Sequence, residues 1–233
     1  MLNFLFMQAQ AFSEGAEIIG EAAPAALELN FMDLAVKGGW IMLPIVILSF
    51  VAIYIFIERF QAIKKASKED SSFMDQIKEY IHAGKIDSAL ALCRSKDTPV
   101  ARMIEKGIRR VGRPLGDVNA AIETVGNLEI SKLEKSLPTL ATVSGGAPML
   151  GFLGTVIGMI QAFYDMANAG NNVDVQLLSS GIYQAMVTTV AGLVVGVIAY
   201  FSYNFLVAKV ESVVYKMEAR TSEFMDLLYE PAK

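Results

Sequence analysis

The chain has 233 residues, 54% of them hydrophobic, with 20 Lys and Arg against 24 Asp and Glu for a net charge of -4. A mean hydropathy of +0.43 is too high for an ordinary soluble domain of this length, and an acidic balance without a basic stripe excludes nucleic acid as a partner. One cysteine, Cys93, and one histidine, His82, exclude an intrachain disulfide, a His-rich metal site and a Ser/His/Asp triad.

The fold class these values predict is an all-α integral membrane protein with three transmembrane helices, two of them extended into a cytoplasmic helical bundle. Residues 1–37 carry one cation, Lys37, and five acids. Met1–Gln10 has no Lys or Arg and a very short apolar core. It therefore reads as an amphipathic or mobile N-terminal arm rather than a cleaved leader, although Gln8–Ala11 faintly resembles a cleavage site. The first span is 38–57, with Trp40 and Tyr54 near its two ends, where amphipathic rings favour the headgroups. Pro44 falls in its first turns, where a missing donor costs least.

Residues 58–137 form a charged helical region, and apolar residues recur there at helical spacing. Residues 73–83 and 85–94 read as short helices broken at Gly84. A third runs over 99–111, with Thr98 as N-cap before Pro99. Asp117 is expected to cap a long helix from near Val118. Nothing stops that helix before Pro138, so it can run into the second span as a rod of roughly 70 Å. The remaining chain divides into a second span at 138–164, a short loop at 165–177, a third span at 178–208 and a C-terminal helix at 209–233. The last continues the third span, with Val210, Val213, Val214, Met217 and Phe224 on one buried face. Each of the two later spans sits in a charge-free stretch, 136–164 and 175–208, longer than the roughly 20 residues that cross a bilayer.

Positive charge sets the orientation. Arg59, Lys64, Lys65 and Lys68 follow the first span, and Lys209, Lys216 and Arg220 follow the third. The loop between the later spans carries only Asp165 and Asp174. The positive-inside rule then places the N-terminus and this loop outside and the charged region and C-terminus in the cytoplasm. That region has no phosphate-binding loop, metal-ligand spacing or nucleophile–base constellation, so no enzyme, metal or cofactor is expected. Arg109, Arg110 and Arg113 read as a solvated helix face, and His82 and Cys93 as surface or packing residues.

Small residues mark the faces along which the later spans pack. Gly151, Gly154 and Gly158 follow Pro148 in the second span, and Ala185, Thr189, Gly192 and Gly196 recur in the third. Close helix packing accounts for most of them. Four polar residues are harder to place: Thr155, Gln184, Thr188 and Thr189. A glutamine amide facing lipid would be unsatisfied, whereas a threonine can bond a carbonyl one turn back. Together they favour a polar path or partner-facing interior over packing alone.

The segment Ala147-Pro-Met-Leu-Gly-Phe-Leu-Gly-Thr155-Val-Ile-Gly158, followed by Phe163, resembles the second span of the MotA/TolQ/ExbB proton-channel family. Gly181-Ile-Tyr-Gln-Ala-Met-Val-Thr188-Thr189-Val-Ala-Gly192-Leu resembles its last span. Lys37-Gly-Gly-Trp40 and Thr98-Pro-Val-Ala101 are similar to the three-span ExbB and TolQ branch, nearest to ExbB. The resemblance implies a bacterial inner-membrane protein that forms a homopentamer around two copies of a single-span ExbD- or TolR-like partner carrying a membrane aspartate. Proton flow would drive that partner and pass work to a TonB- or TolA-like transducer. Thr155 and Thr189 match the family threonines that face the aspartate, with Thr188 beside them. Gln184 departs from the pattern, since ExbB members often have glutamate there, and a glutamine cannot carry a proton. Two other readings stay open on the sequence: a stator for a different surface machine, and a non-conducting scaffold in which Gln184 is interhelical glue.

Overall fold

A computed structural model describes residues 38–68, 72–168 and 175–229. The expectations for 1–37, for 169–174 and for the last four residues lie outside them, and the expected loop at 165–177 is shorter than its bounds, since 165–168 and 175–177 are helical. The described residues form seven helices and no strand: α1 Met42–Ala66, α2 Ser72–His82, α3 Ile86–Ser95, α4 Pro99–Ile108, α5 Leu115–Glu134, α6 Leu137–Asn168 and α7 Val175–Tyr229. Three stretches, in α1, α6 and α7, are long and apolar enough to cross a membrane.

Local chemistry accounts for the breaks. Gly84, with φ +66, separates α2 from α3 in a backbone region that glycine adopts without steric cost. The Thr98 hydroxyl accepts the Ala101 N–H at 3.3 Å and Pro99 follows it, so α4 opens as expected. The expected cap at Asp117 is not formed. α5 starts earlier, at Leu115 after Pro114, and Asp117 sits inside the first turn, where its carboxylate still faces the positive helix end.

The long rod from α5 into α6 is broken at one point. Lys135 turns extended and Ser136 takes φ +69 before α6 restarts at Leu137. The physical reason is Pro138. Inside a continuous helix it would lack a donor and its ring would press on the carbonyl four residues back. The break moves it into a first turn, where no donor is needed.

α6 and α7 pack antiparallel along their length, and α1 lies parallel to α7. The second register is legible in three contacts: Gly39 against Gln184, the Phe60 and Phe205 rings at 6.2 Å, and Lys216 Nζ at 3.4 Å from the Ser67 hydroxyl. α7 is a single helix of 55 residues, roughly 80 Å long. Its second half runs on past the charge-free stretch and forms the spine of a bundle with α2–α5, burying Ile77, Ile104, Ile108, Ile122, Met217 and Phe224. Val210, Val213, Met217 and Phe224 are buried on one face, as their spacing predicts, and Val214 is half-buried beside them.

A polar network joins the bundle to the foot of α1. Lys65 bonds Asp97 at 2.6 Å, Asp97 accepts from Arg102 at 2.6 Å, and Arg102 donates to Glu129 at 2.6 Å. Lys132 donates to Glu129 at 2.7 Å, and its own carbonyl accepts from Arg59 at 3.0 Å. Arg59 also pairs with the neighbouring Glu58. Helices α1, α4 and α5 are thereby tied to one another by directional bonds as well as by apolar packing.

Candidate functional site: the hydroxyl seam between α6 and α7

The two helices meet through residues too small to hold them apart. A Cβ added at Gly151 would lie 3.0 Å from the Thr188 carbonyl oxygen and 3.1 Å from the Thr189 Cα. One added at Gly158 would lie 2.9 Å from the Ala185 Cβ, and one at Gly192 only 2.5 Å from the Ala147 carbonyl oxygen. The Pro148 ring fills the space beside Gly196. Pro148 leaves α6 unbroken, and its ring packs as a knob on α7. Only glycine permits this backbone approach, which is how helices gain dispersion contact in lipid without a hydrophobic driving force.

The close approach decides where each hydroxyl goes. Thr189 donates across the seam to the Gly151 carbonyl at 3.0 Å. That acceptor already takes part in the helix ladder, so Thr189 uses its second lone pair. Thr188 is 1% exposed, lies against the space left by Gly154, and donates to the Ala185 carbonyl at 2.8 Å. Thr155, one turn beyond Gly151 on α6, is half-buried and donates to the Phe152 carbonyl at 2.6 Å. The structure thus brings Thr188 and Thr189 onto the α6 glycines and leaves Thr155 at the seam's edge. Thr188 is enclosed within the chain itself, without an open face.

Gln184 is half-buried and stands apart from the three hydroxyls. Its amide nitrogen faces Gly39, whose φ of +68 turns the backbone just before α1. A Cβ at Gly39 would collide with that amide. Gly39 is the contact that the sequence did not disclose. The Lys37-Gly-Gly-Trp40 motif carries the signal, and a doubled glycine before a span asks for a close approach, but nothing in it names Gln184 as the neighbour.

The chemistry of the seam is narrow. No Asp, Glu, Lys, Arg or His lies in 38–57, 136–164 or 175–208. All three threonine protons point at main-chain carbonyls, so in this arrangement the half-buried Thr155 and Thr189 oxygens face any visitor as acceptors. They can receive a hydrogen bond from water or from a protonated acid. They cannot store a proton.

Titratable groups with shifted equilibria sit in the bundle instead. Burial pushes the Cys93 thiol up to about 12, with Glu105 reinforcing the shift. Hydrogen bonding from Lys65, with further help from Arg102, holds Asp97 below its usual range. Burial pulls Glu129 upward, but the bonds from Arg102 and Lys132 outweigh it and its carboxyl is lowered. These groups fasten the bundle and none lies along the spans. Among the described residues no cluster of His, Cys, Asp and Glu is placed to hold a metal.

Residues 95–219, which include the whole seam and Gln184, match the model of the MotA/TolQ/ExbB proton channel family. The chain is 30% identical over 221 residues to the Tol-Pal system protein TolQ of Haemophilus influenzae, covering 88% of this chain and 96% of that protein. It is 30% identical over 176 residues to a biopolymer transport protein ExbB homolog of Methanothermobacter thermautotrophicus, covering 74% of this chain. The match spans 62% of that relative's length. Over 88 residues it is 38% identical to the biopolymer transport protein ExbB of Aquifex aeolicus, covering 38% of this chain and 59% of that protein.

Proposed function

The chain belongs to the MotA/TolQ/ExbB proton channel family, and from this premise we propose that it is the ring-forming stator subunit of a proton-motive-force-driven machine of ExbB or TolQ type. Five copies surround two copies of a single-span ExbD- or TolR-like chain in the inner membrane, with the N-terminus periplasmic and the charged bundle cytoplasmic. The role is transport rather than catalysis.

The observation that carries this reading is the seam itself: hydroxyl acceptors with no ionisable residue anywhere along the spans. A proton path needs a group that changes charge, and the acid must come from the partner. Thr155 and Thr189 then act as acceptors for the partner's carboxyl. A protonated acid donates to a threonine oxygen whose own proton is committed to a carbonyl. A bare carboxylate offers only lone pairs, and it is satisfied only if the hydroxyls rotate away from those carbonyls. The seam therefore favours the neutral acid and returns the charged one toward water. Alternation between the two states is the step to which rotation or conformational cycling of the partner couples.

Support for an ExbB assignment, with a TonB-like transducer, comes from the ExbB-named relatives. The TolQ relative covers nearly the whole chain, and it supports the TolA-coupled alternative equally. A stator for gliding or another surface machine uses the same ring. One observation favours the scaffold reading at a single position: Gln184 lies against Gly39 of the same chain, where it serves as glue between α1 and α7.

The test is co-expression with a single-span partner carrying a membrane aspartate, purification of the complex, and proton uptake in vesicles. Thr155→Val and Thr189→Val keep side-chain volume and delete the acceptor. The expected result is loss of partner-dependent uptake of about tenfold or more, with assembly unchanged. Unchanged uptake in both variants refutes the reading.

A further inference from the structure

Where α1 and α7 leave the membrane together, they carry the same spaced triplet. Phe60 and Lys64 on α1, with Ser67 at its C-cap, match Phe205, Lys209 and Ser212 on α7, each with the spacing Phe-x-x-x-Lys-x-x-Ser. The two helices are parallel, so the triplets lie at matching depths. The phenyl rings stack at 6.2 Å, and the remaining four side chains line one groove of about 310 Å³ between the helices. Lys68 completes the cationic rim. Ser67 and Lys68 also line a second cavity of about 210 Å³ edged by Lys96, Lys216 and Arg220. No carboxylate lines either cavity among the described residues.

Depth gives the groove its meaning. Lys209 is the first charged residue after the third span, and Phe205 lies one turn nearer the membrane centre. The Phe60 and Phe205 rings, 37% and 44% exposed, lie level with each other, Phe205 inside the charge-free stretch and Phe60 just past the Glu58–Arg59 pair that ends the first span. Lys64, Lys209, Ser67 and Ser212 follow within about two turns, at the level of the headgroups. An apolar aromatic step above, then paired ammonium groups and hydroxyls, is the order of polarity along a phospholipid from acyl chain to phosphate. A mobile anion from solution matches only the lower half. Basic pockets between membrane helices near a headgroup layer bind anionic lipid by this complementarity.

We propose that the groove between the feet of α1 and α7 is a binding site for one anionic glycerophospholipid of the leaflet that faces the helical bundle. Its phosphate sits between Lys64 and Lys209 with Ser67 and Ser212 as hydrogen-bond donors, and its acyl chains run over Phe60 and Phe205. Lys209 lies 5.6 Å from the Phe205 ring centre, a cation–π contact that holds the ammonium over the groove. The inference needs only that the three helices span a bilayer. It is independent of proton conduction.

The test uses the full chain in neutral detergent, titrated with short-chain phosphatidylglycerol and read as bound lipid per chain by native mass spectrometry. Short-chain phosphatidylcholine and inorganic phosphate are the comparison probes. One phosphatidylglycerol is expected per chain, with weaker phosphatidylcholine binding and no saturable phosphate binding. The double variant Lys64→Gln/Lys209→Gln should weaken phosphatidylglycerol about 30-fold, from about 1 kcal/mol for each cation near an anionic headgroup. Lys85→Gln, which removes an exposed charge remote from the groove, should leave the affinity unchanged. Equal losses in both variants would mean net charge alone is read, and overturn the proposal. So would equal binding of the two lipids, or phosphate binding as tight as phosphatidylglycerol. If Lys64 and Lys209 resist amine labelling in lipid-free protein, a second copy of the chain covers the groove and the proposal fails.

Discussion

Gly192→Ala tests the seam at its tightest point. The added Cβ would stand 2.5 Å from the Ala147 carbonyl oxygen, 2.9 Å from the Gly151 Cα and 3.0 Å from the Gly151 nitrogen. All three are backbone atoms, so no side chain can swing aside. A relaxed carbon–oxygen contact lies at about 3.4 Å, and the shortfall of roughly 0.9 Å must come from helix separation. Thr189 bonds the Gly151 carbonyl at 3.0 Å, and parting by two thirds of that shortfall takes it beyond about 3.5 Å, where the bond is lost. Overpacking costs about 1–3 kcal/mol, and the lost interhelical bond about 0.6 more. Alanine's better helix propensity returns up to about 1 kcal/mol. The net loss is about 2 kcal/mol, or a fall in Tm of roughly 4–8 °C for a chain of this size. Gly145→Ala is the matched control, because nothing in the chain lies within 4 Å of its added Cβ. The assay is thermal unfolding of both purified variants by intrinsic fluorescence, with proton uptake as the second readout. A Gly192→Ala protein as stable as wild type, beside a Gly145→Ala control that gains up to about 1 kcal/mol from helix propensity, refutes the claim that backbone contact at this level sets the seam.

Two further predictions concern the bundle. Cys93 is buried and its thiol is pushed up to about 12, so the thiolate that reacts with alkylating agents is scarce at neutral pH. Iodoacetamide labelling at pH 8, followed by mass spectrometry, should be at least tenfold slower in the native protein than in denaturant. Comparable rates would show the packing around α3 to be wrong. Glu129 has a lowered carboxyl, held by Arg102 and Lys132. A depressed folded pKa contributes stability that is fully present above the unfolded value, near 4.5, and lost as pH falls through the folded one. Glu129→Gln should therefore cost about 1–3 kcal/mol at pH 7 and flatten the acid limb of a Tm-against-pH curve below about pH 4.5. An unchanged limb would show that Glu129 does not link the bundle to pH.

Much of this architecture is legible in the residues alone. Lipid admits only chains that satisfy their own backbone, so long charge-free segments predict three helices without knowledge of their neighbours. Local rules were nearly as good. Thr98-Pro99 and Gly84 act within one turn of themselves, and the structure keeps both. Local rules failed where two signals competed: Asp117 has the chemistry of a cap, but Pro114 ended the preceding turn first. The break at Ser136 belongs to the same class, with its cause in Pro138.

The sequence by itself determined the number of spans, the small-residue faces and the absence of any ionisable group along the three apolar stretches. These follow from period, size and charge, which each residue carries with it. Only the tertiary structure decided which hydroxyl goes where: Thr189 across to Gly151, Thr188 shut in against Gly154, Thr155 at the edge, and Gln184 on Gly39. It also put Phe60, Lys64 and Ser67 beside Phe205, Lys209 and Ser212, 145 positions later in the chain. Such pairings depend on the relative rotation and register of two helices. That rotation is a property of the packed pair, set by where glycines let the backbones touch, and neither segment specifies it alone.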